Sequence, residues 1–224
     1  LAFLSGQKWM QGDVKYVDLD GNNKIDNGTN TVGDMGDMTV IGNTTPRYQY
    51  TINGSISWKG LSLSLMFQGV GKRDWCPAMN TSYFWGSGSY AQVTVFKEHL
   101  DYWTPENPDA YYPNPYTAGN QAVGKFRAKT SQKSDRYMQS AAYCRLKNMT
   151  ISYDLPKAWI EKIHLTKAQV FFSGENLLTF TKLSSIFDPE VLFTQNSYGS
   201  NALEQAGKNY PMTRVFSVGV ILNM

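Results

Sequence analysis

Residues able to do chemistry gather in two places along this chain. The first is Asp18-Leu19-Asp20-Gly21-Asn22-Asn23-Lys24-Ile25-Asp26, where oxygen side chains recur at alternate positions. Asp18, Asp20, Asn22 and Asp26, with the Lys24 carbonyl, fall on positions 1, 3, 5, 9 and 7 of an EF-hand-type loop. Such a loop converges hard oxygens on one calcium ion. Position 12 is Thr29 instead of a bidentate Glu, and position 6 is Asn23, which tolerates the left-handed backbone the turn requires. Asp34 or Asp37 is expected to complete the shell, and the calcium would be a structural brace. Asp-rich turns also occur without metal.

The second place is a set of aromatic residues in low-complexity surroundings of Gly, Pro and Asn: Trp75, Tyr83, Phe84, Trp85, Trp103, Tyr111, Tyr112 and Tyr116. Catalysis is not expected. The two histidines, His99 and His164, stand on a helical pattern and in a polar turn, with no serine elbow and no metal-ligand spacing. Cys76 and Cys144 are far apart and read as free thiols. The five Asn-X-Ser/Thr sequons read as chance, since Asn53 lies inside an alternating run.

Those residues hang on runs of alternating polarity. Tyr48, Tyr50, Ile52, Gly54, Ile56 and Trp58 interleave with Gln49, Thr51, Asn53, Ser55 and Ser57. After Lys59-Gly60 the alternation restarts with Leu61, Leu63, Leu65 and Phe67. Period two over two runs joined by a two-residue turn predicts a β-hairpin with one face in an apolar medium. Runs of about ten residues exceed the usual soluble strand and match the ~9–11 residues of a tilted membrane strand. Further strands are expected over Tyr143–Leu155, Ala168–Gly174 and Arg214–Met224, and a short amphipathic helix over Ala91–Trp103.

The connections alternate. Lys59-Gly60 and Pro156–Thr166 are short, whereas 70–142 and 175–213 are long and aromatic. Short turns on one side and long loops on the other are the habit of outer-membrane barrels. Single-chain bacterial barrels have an even number of strands, eight or more, so five strands read as part of a barrel wall. Residues 1–47 then form a loop segment bearing the acidic turn, and 48–224 the strands with their loops.

Composition agrees. The 224 residues are 17% charged and 14% aromatic, a skew toward a lipid-facing barrel or a sugar-binding β protein. A net charge of +3 without a Lys/Arg cluster speaks against nucleic acid. No apolar run nears the ~20 residues of a membrane helix. The chain opens at Leu1 without a signal peptide, which reads as a fragment or processed piece.

Several stretches together resemble one family. They are Gly12-Asp13-Val14-Lys15-Tyr16 with Asp18…Asp26, then Ile41-Gly42-Asn43 before Pro46-Arg47-Tyr48, Phe67-Gln68-Gly69-Val70-Gly71 and Trp103-Thr104-Pro105-Glu106-Asn107-Pro108. After these come Cys144-Arg145-Leu146-Lys147-Asn148-Met149-Thr150, Ser173-Gly174-Glu175-Asn176-Leu177-Leu178-Thr179-Phe180, Phe187-Asp188-Pro189-Glu190 and Tyr210-Pro211-Met212. In this order they resemble the C-terminal end of a SusC/RagA-type TonB-dependent outer-membrane transporter. The sequence departs at Met224, where such barrels usually end in an aromatic residue, and at Asp20 and Asn22, where the family has Asn and Asp.

The resemblance implies the C-terminal antiparallel strands of a transmembrane 22-strand β-barrel. It also implies an N-terminal plug and TonB-contacting segment outside this sequence, and a SusD-like surface lipoprotein as lid. Import of glycans, sometimes peptides, would draw on the inner-membrane proton gradient through TonB. The long loops would be extracellular and the last strand would end in the periplasm. Trp75, Tyr83, Trp85, Trp103, Tyr111, Tyr112 and Tyr116 become candidates for cargo or lid contact; the bland alternative is that they pack the loops together or form an interface belt. Trp58 and Trp159, beside the short turns, suit the periplasmic belt. The competing reading is a soluble carbohydrate-binding β-sandwich, which would need about seven or more short strands closing on themselves.

Overall fold

The computed structural model describes residues 9–77, 81–88, 92–115, 130, 132–192 and 210–223. Five long strands form one antiparallel sheet in the order β1 (Arg47–Trp58), β2 (Leu61–Lys72), β5 (Tyr143–Asp154), β6 (Lys167–Thr181) and β7 (Val215–Asn223). Two short strands, β3 (Asp74–Trp75) and β4 (Gln139–Ser140), pair as a ribbon where the β2–β5 connection leaves and rejoins the sheet. The five long strands lie side by side in chain order, as in a meander.

The hairpin forms because Lys59 and Gly60 both take positive φ, 46° and 87°, the primed turn whose twist matches two paired strands. The register then aligns the side-chain families. Ile56, Leu63, Ile151, Phe172 and Val218 form one row across all five strands. Trp58, Leu61, Tyr153, Val170 and Val220 form the next row toward the short turns. On the opposite face Ser55, Ser64, Thr150, Ser173 and Ser217 make a continuous hydroxyl row. The apolar rows are bare: Ile56 is 67% exposed, Val218 81% and Val220 58%. A contiguous apolar surface of this extent marks a face that meets lipid or another protein. Among the described residues no second sheet covers it.

Two expectations change. The fourth strand does not stop at Gly174 but runs to Thr181, so the second long loop starts at Lys182. A bulge hides the continuation: Asn148 pairs with Glu175 while Leu146 pairs with Leu178, and Asn176 sits at φ 53°. The insertion breaks the alternation, which then resumes with Leu178 and Phe180 on the apolar face. Likewise, the helix over Ala91–Trp103 is only a 3-10 turn at Lys97–Leu100. Val95 and Leu100 are 54% and 69% exposed, so only part of the apolar spacing, such as Phe96 and His99, meets a surface to bury against.

The short β5–β6 connection follows from Pro156, which cannot continue the ladder and opens α2 (Lys157–Ile160), numbered after α1 (Ser82–Trp85) in the long loop. His164 closes it in the left-handed region. At Gly219, a Cβ would lie 2.5 Å from the Phe171 ring, which covers the glycine from the neighbouring strand. Gly219→Val in the full-length protein should therefore displace that ring and lower the fraction of heat-modifiable folded barrel on a gel. An unchanged fraction would show that the ring moves freely.

Candidate functional site

The acidic turn is built by its own carboxylates. Asp18 accepts the Gly21 and Asn23 amides, each at 2.8 Å, and Asn23 takes φ 62° to make this reach feasible. Asp20 accepts the Asn22 amide, and Asn22 accepts the Lys24 amide. The loop is closed from outside by Asp37, whose carboxylate accepts the Leu19 amide at 2.6 Å and the Asp26 amide at 2.8 Å. These bonds, led by the one from Leu19, hold the Asp37 carboxyl below its usual range. The ionised form is the one bonded, so the turn is held above the ordinary carboxylate range and loosens as pH falls through the lowered value.

Of the five ligands read from spacing, the structure brings Asp18 and Asp20 together, and adds Asp37; their carboxylate oxygens lie within 4.8 Å of one another. Asn22 and Lys24 stay on the same turn. Asp26 turns its carboxylate to the Gly28 amide, and Asp34 turns to Thr29. The donor set fits a hard cation. Three carboxylates converge, and each oxygen engaged by one N–H keeps a second lone pair.

The aromatic candidates divide by burial. Phe84, fully buried, is the hub, with ring centroids of Trp75, Trp85, Tyr112, Tyr137 and Phe187 at 6.0, 4.8, 5.4, 5.8 and 6.5 Å. Trp75, Trp85 and Tyr112 are 6%, 3% and 6% exposed and pack the loops together. Burial raises the Tyr112 phenol above its ordinary range, as it does for Tyr111 and Tyr137. Tyr111 is half-buried and accepts a bond from Gln139 at 3.0 Å, and Tyr83 packs edge-on against Phe96. Among the described members of the set, Trp103 and Tyr112 border open space. Trp103 packs on Gly12 and lines a cavity of ≈ 1130 Å³ with Lys15, Leu19, Asp37, Ile41 and Arg136. Tyr116 lies outside the described residues.

His99 serves the same scaffold. Its Nδ1 accepts the Phe96 amide and its Nε2 faces the Phe84 carbonyl, each at 3.0 Å, so both ring nitrogens are engaged by backbone. The third constellation is one that spacing did not reveal. Arg145 of β5, with its side chain 3% exposed, meets Asp188 and Glu190 of the second loop. The signal available was a charged residue in a membrane-length strand, which needs a partner.

No family model matches the chain. Over its whole length it is 32% identical to TonB-dependent receptor P3 of Formosa agariphila, and over 93% of its length 28% identical to TonB-dependent receptor P26 of the same organism. The chain spans 20% and 19% of these relatives, about a fifth of their length. Among solved structures, the RagAB peptide importer in its open-open state superposes with a TM-score of 0.52 at 23% identity, over 81% of this chain and 17% of that one. Its closed-closed state gives 0.51 at 22%, over 80% and 17%. At such identities the structural likeness speaks to fold, which is that of a barrel wall with its loops. In sequence the chain is similar to a stretch of TonB-dependent receptors, and its fold is similar to part of the RagAB transporter.

Proposed function

We propose that the chain forms part of the wall and outer lip of an outer-membrane importer that takes up glycans or peptides with a SusD-like surface lipoprotein, powered through TonB. The long loops are extracellular and β7 ends toward the periplasm, with Trp58 and Trp159, 67% and 65% exposed, at the inner interface. The observation that carries this reading is the pair of apolar rows crossing all five strands, left bare while the opposite face is hydroxyl-lined. Of the aromatic set, the cavity favours Trp103 for cargo or lid contact, beside Tyr112, which also lines it, while Trp75 and Trp85 serve as scaffold.

The test is the mass of the species drawn from membranes by detergent, with intact-mass identification of each polypeptide. A complex holding a much longer chain and a lipoprotein is expected. A detergent-free, monodisperse monomer near 25.2 kDa would overturn the reading.

The acidic turn supports a structural calcium held by Asp18, Asp20 and Asp37, with main-chain oxygens of the same loop. Its role is to brace residues 17–41, not to take part in import chemistry. In the full-length protein, EGTA should expose this segment to protease and added Ca²⁺ should restore it, while Asp37→Asn should abolish the response. Equal cleavage with and without Ca²⁺ would remove calcium from the account.

A further inference from the structure

We infer that Arg145 and Arg73 are positioning residues that seat a strap, Leu183–Leu192, against the polar face of the wall. Asp188 then sets both where the β6–β7 connection leaves the sheet and where it returns. The geometry stands on its own; its consequence for the channel mouth rests on the importer reading above.

Arg145 lies in the row Thr51, Gln68, Arg145, Thr179, on the same face as the hydroxyl row. Its Nε–H donates to Thr179 Oγ1 at 2.8 Å, which locks the guanidinium plane from the neighbouring strand. The remaining fork points at the strap. Nη2 donates to both oxygens of Asp188 at 2.8 Å, and Nη1 donates to Glu190 Oε2 at 2.5 Å. Lys147, the bulged residue of β5, reaches the other Glu190 oxygen at 2.9 Å.

Arg73, one residue beyond β2 and 7% exposed, grips the same strap by its backbone. It donates to the carbonyls of Pro189 and Leu192 at 3.4 and 3.3 Å, and to Thr44 at 3.3 Å. Asp188 in turn accepts the Met212 amide at 3.1 Å, three residues before β7 begins. One carboxylate therefore joins the wall, the strap and the return of the chain.

Stability alone is a poor reason for this arrangement. A buried ion pair gains little over apolar packing of the same volume, because desolvation offsets the attraction. What the cluster supplies is direction: a planar fork fixed by Thr179 accepts its partners in one orientation only. It holds the strap over the polar face at the loop end of the sheet, the channel side on the importer reading.

Hydrogen exchange by mass spectrometry on the full-length protein in outer-membrane vesicles reads this directly. Arg145→Lys keeps the charge and loses the fork. The expected result is exchange in 183–192 faster by roughly tenfold, the loss of about one charge-assisted hydrogen bond, with β5 and β6 protected as before. Asp188→Asn should do the same and extend the effect to 210–214. Unchanged protection of the strap in both variants would overturn the proposal, since lysine rescue is what a merely electrostatic brace predicts. Should either variant fail to accumulate, the apolar pair Arg145→Met with Asp188→Leu carries the measurement: a folded barrel with a loosened strap supports positioning. Loss of the barrel there too would overturn it, making the cluster a determinant of wall folding. Failure of the strap result leaves the membrane reading untouched, and a chain found outside membranes still reports on the strap.

Discussion

Replacing Phe84 by alanine should melt the loop assembly while leaving the sheet intact. Phe84 is fully buried, and its ring is shared by β3 through Trp75, by the 111–112 segment, by Tyr137 and by Phe187 of the strap. Truncating such a ring removes its transfer free energy and leaves a cavity that rigid neighbours cannot fill, a cost of about 3–5 kcal/mol. The four segments meet mainly through these rings, so the loss should be local and cooperative. Limited proteolysis should cut within 92–115 and 132–142, while heat-modifiability reports a folded barrel. Phe84→Leu, which keeps most of the volume, should cost about 1.5 kcal/mol or less. Protease resistance equal to the wild type in the alanine variant would mean that the loops are held by something other than this core.

The second large effect belongs to the apolar face. Val218 is 81% exposed and stands in the row of Ile56, Leu63, Ile151 and Phe172. Arginine on a lipid face near mid-membrane costs about 2–4 kcal/mol, because its charge must be desolvated or must thin the bilayer around it. Val218→Arg should therefore lower the urea midpoint for barrel unfolding in vesicles, or block insertion. Ser217→Arg, one residue away on the hydroxyl-lined face, should be far milder. The contrast between neighbours carries the information, since both substitutions add the same side chain to the same strand. Equal effects at 217 and 218 would say that the two faces see the same medium.

These expectations show where the sequence was legible. The β1–β2 hairpin was readable because nothing interrupts its alternation and Lys59-Gly60 marks the turn. The far half of β6 was not, because the bulge at Asn176 shifts the parity and imitates the end of a strand. The acidic turn announced its ligand types through alternate spacing, yet Asp37 joins Asp18 and Asp20 only through the path of the chain back across the loop. Arg145 and Asp188 are 43 residues apart and their meeting depends on tertiary placement. The aromatic residues were the hardest case. Composition cannot tell a ring that stacks on a ligand from one that fills a core: Trp75 and Trp85 fill the core, Trp103 faces the cavity, and Tyr112 does both.

The central claim is that one face of this sheet meets lipid and the other lines the channel. Spin labels placed singly at Thr150, Ile151, Phe172, Ser173, Ser217 and Val218 of the full-length protein in bilayers test it most directly, read by accessibility to oxygen and to a water-soluble nickel chelate. The account predicts oxygen-dominated relaxation at 151, 172 and 218, and weaker oxygen access at 150, 173 and 217. Water-soluble access at Ile151, Phe172 and Val218 equal to that of their neighbours would contradict it.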